Sequence, residues 1–265
     1  MNLIVCLKQV PATTEVRLDP VTKTILRDGR QSVTNPFDSH ALELAVTLKE
    51  RFGGTVSALT MGIPAAEGML RDALGRGADR ALLLSDRAFA GSDTLATAYA
   101  LSLGVRRLGE ADLILCGKMA VDGDTAQIGP ELAEHLGIPH VCDVCEIKDA
   151  SETRLLCCRI TDAGEELVEV PLPAVITVTR EINLPRLPSI PGIHFSRTGP
   201  VETLTADALG AERVRCGLDG SPTQVVRVYT PPREREAEQI AGTSAEQARA
   251  LKSLIREVLP WRSFK

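Results

Sequence analysis

The 265-residue sequence predicts an α/β protein: a doubly wound, mostly parallel sheet with an added antiparallel meander and a C-terminal arm. Three observations carry that expectation. Short apolar runs alternate with helix-period segments as far as Gly137, the pattern of repeated βαβ units. From about residue 140 the helical period disappears, and apolar runs are punctuated only by polar turns. A charged, proline-bearing stretch, "TPPREREAEQIAGTS", then precedes one last amphipathic segment.

Taken in order, Asn2–Leu7 reads as a buried parallel strand. "EVRLDPVTKTIL" reads as a small hairpin turning at Asp19–Pro20. "SVTNPFD" is a loop ending at Asp38, the expected N-cap of a helix "SHALELAVTLKERFG" that Gly53–Gly54 stops. "TVSALTM" is a strand, and Pro64 opens the next helix. "RALLLS" is a strand, followed by a helix capped by Ser92 or Asp93. "ADLILC" is a strand, and the next helix is expected over Asp124–Leu136 with Asp124 as its cap. "CDVCEIKDASETRLLCCRITDAGEELVEVPLPAVITVT" reads as the meander, with turns at Asp149–Ser151 and Asp162–Gly164. Pro185, Pro188 and Pro191 exclude a regular helix or central strand from the following stretch, which is expected to be an ordered surface loop. An amphipathic helix from about Ala245 to Leu259, with Ser244 as cap, closes the chain. The domain reading is a nucleotide-binding α/β domain over 1–200, holding antiparallel strands in 142–179 and a loop over 182–197, and an arm over 201–265.

Composition narrows the function. The formal net charge is −5 and aromatic residues make up 3% of the chain, so neither a basic nucleic-acid footprint nor a base-stacking platform is expected. No apolar run approaches the roughly 18 residues of a membrane span. The first apolar run is too short for the core of a secretory signal. The seven cysteines are odd in number and sit in strand-like or apolar surroundings, which fits a reducing cytoplasmic setting.

The chemistry converges on "GKMAVDGDTAQIGPELAEHLG", a strand end, a tight turn and a helix. Ligands of open parallel sheets sit beyond the carboxyl ends of the strands, and such turns hold phosphate through backbone amides. Gly123 lets amides converge, Thr125 and Gln127 add side-chain donors, and Asp122 is placed to orient the loop or to bind a ribose hydroxyl. Neither G-x-G-x-x-G nor G-x-x-x-x-G-K-[ST] is present. On spacing alone the segment therefore also reads as a plain turn and helix cap. Cys142, Cys145, Cys157 and Cys158 lie on strand-like segments where neighbours face opposite ways, so no metal site is expected there. His40 and His135 fall on helices, on faces expected to be solvated. No G-x-S-x-G is present, and no feature favours hydrolysis.

Taken together, "VCLKQVP", "TNPFD", "ALTMG", "ALGRGADRALLLSD", the Gly117–Gly137 stretch and "RITDAGEELVEVPLPAVITVTREINLPRLPSIPG" resemble the electron transfer flavoprotein beta subunit over roughly residues 1–195. The family pattern prefers Gly or Asp where this chain has Ala163, and an aliphatic residue at Cys157. Both departures fall in the meander. The resemblance implies a Rossmann-like fold and a heterodimer with an alpha subunit, onto which the C-terminal helix docks. It also implies that the beta subunit holds a nucleotide: AMP in respiratory-type members, FAD in electron-bifurcating ones. "DGDTAQIGP" and Leu83–Leu101 resemble the bifurcating group, whereas respiratory-type members resemble "IDDDCNQTGQ". The implied activity is hydride transfer from NADH to FAD, with one electron passing to ferredoxin or flavodoxin. The other passes, through the alpha-subunit FAD, to an acyl-CoA dehydrogenase or quinone reductase. In the alternative, AMP is structural and the complex shuttles electrons from dehydrogenases. A solitary nucleotide-binding module of similar fold is the third reading, and it needs neither a proline loop nor a tail.

The residues carried over are Cys6, Asn35, Pro36, Asp38 and Met61 for adenine and ribose, where Cys6 and Met61 also read as core. Ala120, Asp122, Gly123, Asp124, Thr125, Ala126, Gln127 and Gly129 belong to the phosphate turn, and Gly129 also reads as a helix-packing glycine. Ser85 and Arg87 are candidates near flavin or NADH. Pro188, Ser189, Ile190 and Pro191 occupy the place of the family's recognition loop, with Ile190 as the apolar anchor for the dehydrogenase partner. The expected setting is the bacterial cytoplasm.

Overall fold

The computed structural model describes residues 1–12, 32–226 and 239–258. The chain forms two compact units, Met1–Val225 and Val226–Lys265. In the first, the elements are β1 (Asn2–Cys6), β2 (Gln9–Pro11), β3 (Ser32–Thr34), α1 (Pro36–Phe52), β4 (Thr55–Met61), α2 (Glu67–Gly75), β5 (Arg80–Leu84), α3 (Thr94–Leu108), β6 (Leu113–Gly117) and α4 (Ile128–Leu136). They continue with β7 (His140–Ala150), β8 (Arg154–Thr161), β9 (Gly164–Pro171), β10 (Ala174–Val178), α5 (Ile190–Thr198) and β11 (Val201–Leu204). The expected hairpin at Asp19–Pro20 lies outside the described residues, as do 227–238 and Leu259.

One nine-stranded sheet runs in the order β11-β5-β4-β1-β6-β10-β7-β8-β9, and β2 and β3 form a separate antiparallel pair. Every pairing from β11 to β7 is parallel. Only β7–β8 and β8–β9 are antiparallel. Residues alternate between the two faces of each strand. Leu3, Val5, Val56, Ala58, Leu113 and Leu115 pack with α1 and α2 in one core cluster. Ile4, Cys6, Leu59, Ile114 and Cys116 pack with α3 and α4 in the other. Strands buried on both faces need continuous apolar runs, which is why β1, β4, β5 and β6 are plain in the sequence.

The structure corrects several expectations. β10, the last run of the expected meander, lies between β6 and β7, parallel to both. Val201–Leu204, expected in the arm, adds to the sheet beside β5. The 182–197 segment is not all loop. Ser189 caps α5 by accepting from Gly192 N–H at 3.0 Å, and Pro191 falls in the first turn, where its missing N–H costs nothing. In the second unit, α6 (Ser244–Val258) is preceded by Thr243, whose N–H donates to Glu246 Oε2 at 2.8 Å. That is the return bond of a capping box, so Thr243 takes the role expected of Ser244. Leu251, Leu254 and Ile255 are exposed at helical spacing on α6. No described helix is long and apolar enough to cross a membrane.

Candidate functional site

After β1 the sheet grows to one side through β4 and β5, and then to the other through β6. The connections after β1 and β6 therefore part above adjacent strands. This is the topological switch point, where open sheets bind ligands. The start of α1 supplies the floor. Pro36 is the first helical residue and needs no N–H partner there, so α1 begins at Asn35–Pro36 and not at Asp38.

Asp38 is thereby inside the helix and buried. Its carboxylate accepts from Lys8 N–H at 2.7 Å, Asn35 Nδ2 at 2.9 Å and Gly117 N–H at 3.2 Å. Burial pushes its pKa up from 3.8 to about 7, while Asn35, the two backbone donors and the Lys8 charge pull it down. Gly117 is dictated by this contact, because a Cβ there would stand 2.4 Å from Asp38 Oδ1. Asn35 completes the brace: its Nδ2 also donates to Met119 O at 2.9 Å, and its Oδ1 accepts from Val121 N–H at 3.2 Å.

The braced backbone leads into the turn. Ala120 O accepts from Gly123 N–H at 3.2 Å and Asp124 N–H at 2.8 Å. The left-handed positions are Asp124 (φ 54°) and Ala126 (φ 55°), not Gly123. Asp tolerates that region, whereas Ala pays for it. Asp124 does not cap α4, which starts at Ile128 with no side-chain cap. Among the described residues, the amides of Thr125, Ala126 and Gln127 donate to no acceptor. A run of backbone amides with alternating handedness, just ahead of a helix N-terminus, is an anion-binding arrangement. Asp122 is turned to other use, pairing with Lys8 Nζ at 2.6 Å across the switch point.

Beside this turn lies a cavity of about 660 Å³, bordered by Lys118–Met119 and Val121–Asp124 on one side and by Phe37, Ile160 and Thr179–Glu181 on the other. That volume suits a nucleotide-sized ligand. Arg180 stacks over Phe37 at 4.6 Å, and Lys118 reaches Asp143 at 3.2 Å, so two cations border the cavity. Gly129 lets α4 lie against the sheet, since a Cβ would stand 2.3 Å from Thr177 Cγ2. Thr94, at the start of α3, donates to Glu131 Oε1 at 3.0 Å and ties α3 to α4.

Asn35 ties Asp38 to the Met119–Val121 backbone, and of the predicted residues Asp122, Gly123 and Asp124 border the cavity, whereas Asn35, Pro36, Asp38, Ala120 and Thr125–Gln127 do not. Cys6 and Met61 put their side chains into the adjacent core cluster, leaving only their backbone at the strand ends. Ser85 and Arg87 follow β5, two strands away from β1, and neither borders the cavity. Lys8, Lys118, Arg180 and Thr94 were not picked out from sequence. Of these, Lys8 alone had a usable signal: a cation directly after the first strand. The histidines are less solvated than expected. His40 Nδ1 lies 3.0 Å from Asn183 O, and His135 packs edge-on against Tyr99.

Ile190 is 86% exposed, with Leu184 and Leu187 alike, so it does not tuck beneath its own loop. Arg186 pins this segment to α1 through Glu43 and Glu50. Gly192 meets Gly75 closely enough that a Cβ would fall 2.1 Å from Gly75 O, which seats α5 on α2.

An open doubly wound sheet with a donor-rich turn at its switch point is an arrangement in which α/β domains bind ligands. The model of the electron transfer flavoprotein domain matches residues 22–209. An electron transfer flavoprotein subunit beta from Thermoanaerobacterium thermosaccharolyticum is 46% identical over 95% of this chain and 96% of its own length. The caffeyl-CoA reductase-Etf complex subunit CarD of Acetobacterium woodii is 43% identical over 97% and 98%. Protein FixA of Bradyrhizobium diazoefficiens is 42% identical over 95% and 90%. The chain belongs to the electron transfer flavoprotein family, among its beta subunits.

Proposed function

We propose that this chain is the beta subunit of a heterodimeric, electron-bifurcating electron transfer flavoprotein and that the β1/β6 crevice holds FAD. The observation that carries the reading is the turn "DGDTAQIGP", whose Thr125–Gln127 amides donate to no acceptor among the described residues and sit at the switch point with Lys8 and Lys118 close by. The similarity to a protein named as a subunit of a caffeyl-CoA reductase-Etf complex supports it.

In this reading the Thr125, Ala126 and Gln127 amides bind the pyrophosphate, and Lys8 holds Asp122 away from it. Asn35 and Asp38 fix the height of the turn, while Pro36, Phe37 and the backbone at Cys6 and Met61 border the adenosine. Bound FAD supplies acceptance of hydride from NADH and release of electrons one at a time. The chain's own contribution is to bind and orient the nucleotide. Ferredoxin or flavodoxin takes one electron, and an acyl-CoA dehydrogenase or quinone reductase takes the other. Ile190 anchors that dehydrogenase partner, and the exposed apolar stripe of α6 docks on the alpha subunit. The setting is the bacterial cytoplasm. The second reading, structural AMP in the same turn, uses the same amides and differs only beyond the phosphates.

The test is anaerobic NADH oxidation by the purified heterodimer with its dehydrogenase. The expected result is ferredoxin reduction that requires NADH and the high-potential acceptor together. A complex that ignores NADH but accepts electrons from dehydrogenases contradicts bifurcation.

A further inference from the structure

Away from the crevice, the antiparallel ribbon brings three metal-ligating groups together. We propose that Cys145, Cys158 and Glu165 bind a divalent cation of the zinc class, with the fourth coordination position open to solvent. The Cys145 Sγ, the Cys158 Sγ and a Glu165 carboxylate oxygen all lie within 4.8 Å of one another. Cys158 Sγ stands 3.6 Å from Glu165 Oε2. Tetrahedral zinc, with Zn–S of about 2.3 Å and Zn–O of about 2.1 Å, separates a thiolate from a carboxylate oxygen by about 3.6 Å and two thiolates by about 3.8 Å. The Cys158–Glu165 pair therefore already stands at the ligand spacing, and Cys145 Sγ lies within 4.8 Å of both.

The backbone shows why. Val144 pairs with Arg159 and Glu146 with Cys158, so Cys145 is the extra residue of a β-bulge, a device that re-aims a side chain. Cys145 Sγ sits 3.3 Å from Cys158 O as a result. On the other flank Glu165 pairs with Ile160, two residues along the same face from Cys158, which makes it a diagonal neighbour. The neighbouring Cys157 belongs to the core on the opposite face. The four-thiolate arrangement is thus not assembled among the described residues, and a two-thiol, one-carboxylate arrangement is. Cys158 is buried, Cys145 half-buried and Glu165 exposed, so the site opens outward. Two thiolates and a carboxylate suit zinc better than magnesium or calcium. The cation replaces two thiol protons, which leave to solvent, and no electron transfer is involved. A redox dithiol fits less well, because Glu165 has no part in a disulfide.

The experiment is an anaerobic Co²⁺ titration of the reduced, full-length chain in its complex. The expected result is one Co²⁺ per chain, with thiolate-to-cobalt charge transfer and tetrahedral visible bands that Zn²⁺ bleaches. Cys145→Ser and Cys158→Ser each abolish the charge transfer, and Cys142→Ser leaves it. Glu165→Gln, at an exposed position that does not threaten folding, weakens binding by roughly ten-fold or more. Should Cys158→Ser fail to fold, Glu165→Gln and protection of Cys145 from alkylation by Zn²⁺ decide the matter. The proposal is overturned if the wild type gives no charge transfer or if the band survives in Cys145→Ser and Cys158→Ser. It also fails if Co²⁺ is ignored while mild oxidation joins Cys145 to Cys158.

Discussion

Asp38→Asn removes a titration and leaves the shape of the brace nearly intact. In the folded chain burial pushes Asp38 up from 3.8 to about 7. The folded state therefore binds this proton more tightly than the unfolded chain does. The associated stability is fully present below about pH 4 and is lost as pH rises through about 7. Between pH 5 and pH 8 the loss amounts to two units at 1.36 kcal/mol each, or roughly 3 kcal/mol. The amide variant has no such slope. It carries a separate, pH-independent cost, because its NH₂ must face a donor: Lys8 N–H on one side, or Asn35 Nδ2 and Gly117 N–H on the other. Asn35 cannot turn its amide around without losing Met119 O and Val121 N–H. That mismatch costs about 1–3 kcal/mol. Urea denaturation of both proteins across this pH range, followed by circular dichroism, reads the difference directly. The advantage of wild type over variant should shrink by roughly 3 kcal/mol from pH 5 to pH 8. A difference that stays flat with pH refutes the reasoning.

Three further outcomes are expected. Lys8→Ala changes stability by less than about 1 kcal/mol, since the pair with Asp122 is partly exposed, but it weakens nucleotide retention by roughly ten-fold. Adding Asp122→Asn, which removes the stranded charge, restores part of that loss, as equilibrium dialysis of the nucleotide would detect. Gly129→Ala drives a methyl onto Thr177 and costs about 1–3 kcal/mol in denaturant unfolding, with α4 displaced from the sheet. Ile190→Ala leaves stability within about 0.5 kcal/mol because the side chain touches little, yet it slows electron delivery to the dehydrogenase partner in a coupled assay.

The parallel half of the sheet was legible because strands buried on both faces advertise themselves as apolar runs, and Asp93 announced α3 by capping it at Ala96 N–H. Asp38 and Asp124 were misread for one reason. A carboxylate ahead of an apolar period looks the same whether it caps a helix, is buried within one or occupies a left-handed turn. Pro36 was the better marker of where α1 begins. The place of β10 between β6 and β7 depends on pairing remote in sequence, which no local pattern carries. At the crevice, the Asn35–Asp38 segment and the Ala120–Gln127 turn were legible as motifs. Most of their supports were not: Thr94 and Arg180 enter only because the fold brings separate connections together, and Lys8 had only its place after the first strand to mark it.

The central claim is that the Thr125–Gln127 amides and the β1/β6 crevice hold FAD. It is tested most directly by denaturing the purified heterodimer and quantifying the nucleotides released per complex. Two FAD and no AMP is the result this account requires. One FAD with one AMP contradicts it and leaves a conventional electron shuttle built on the same turn.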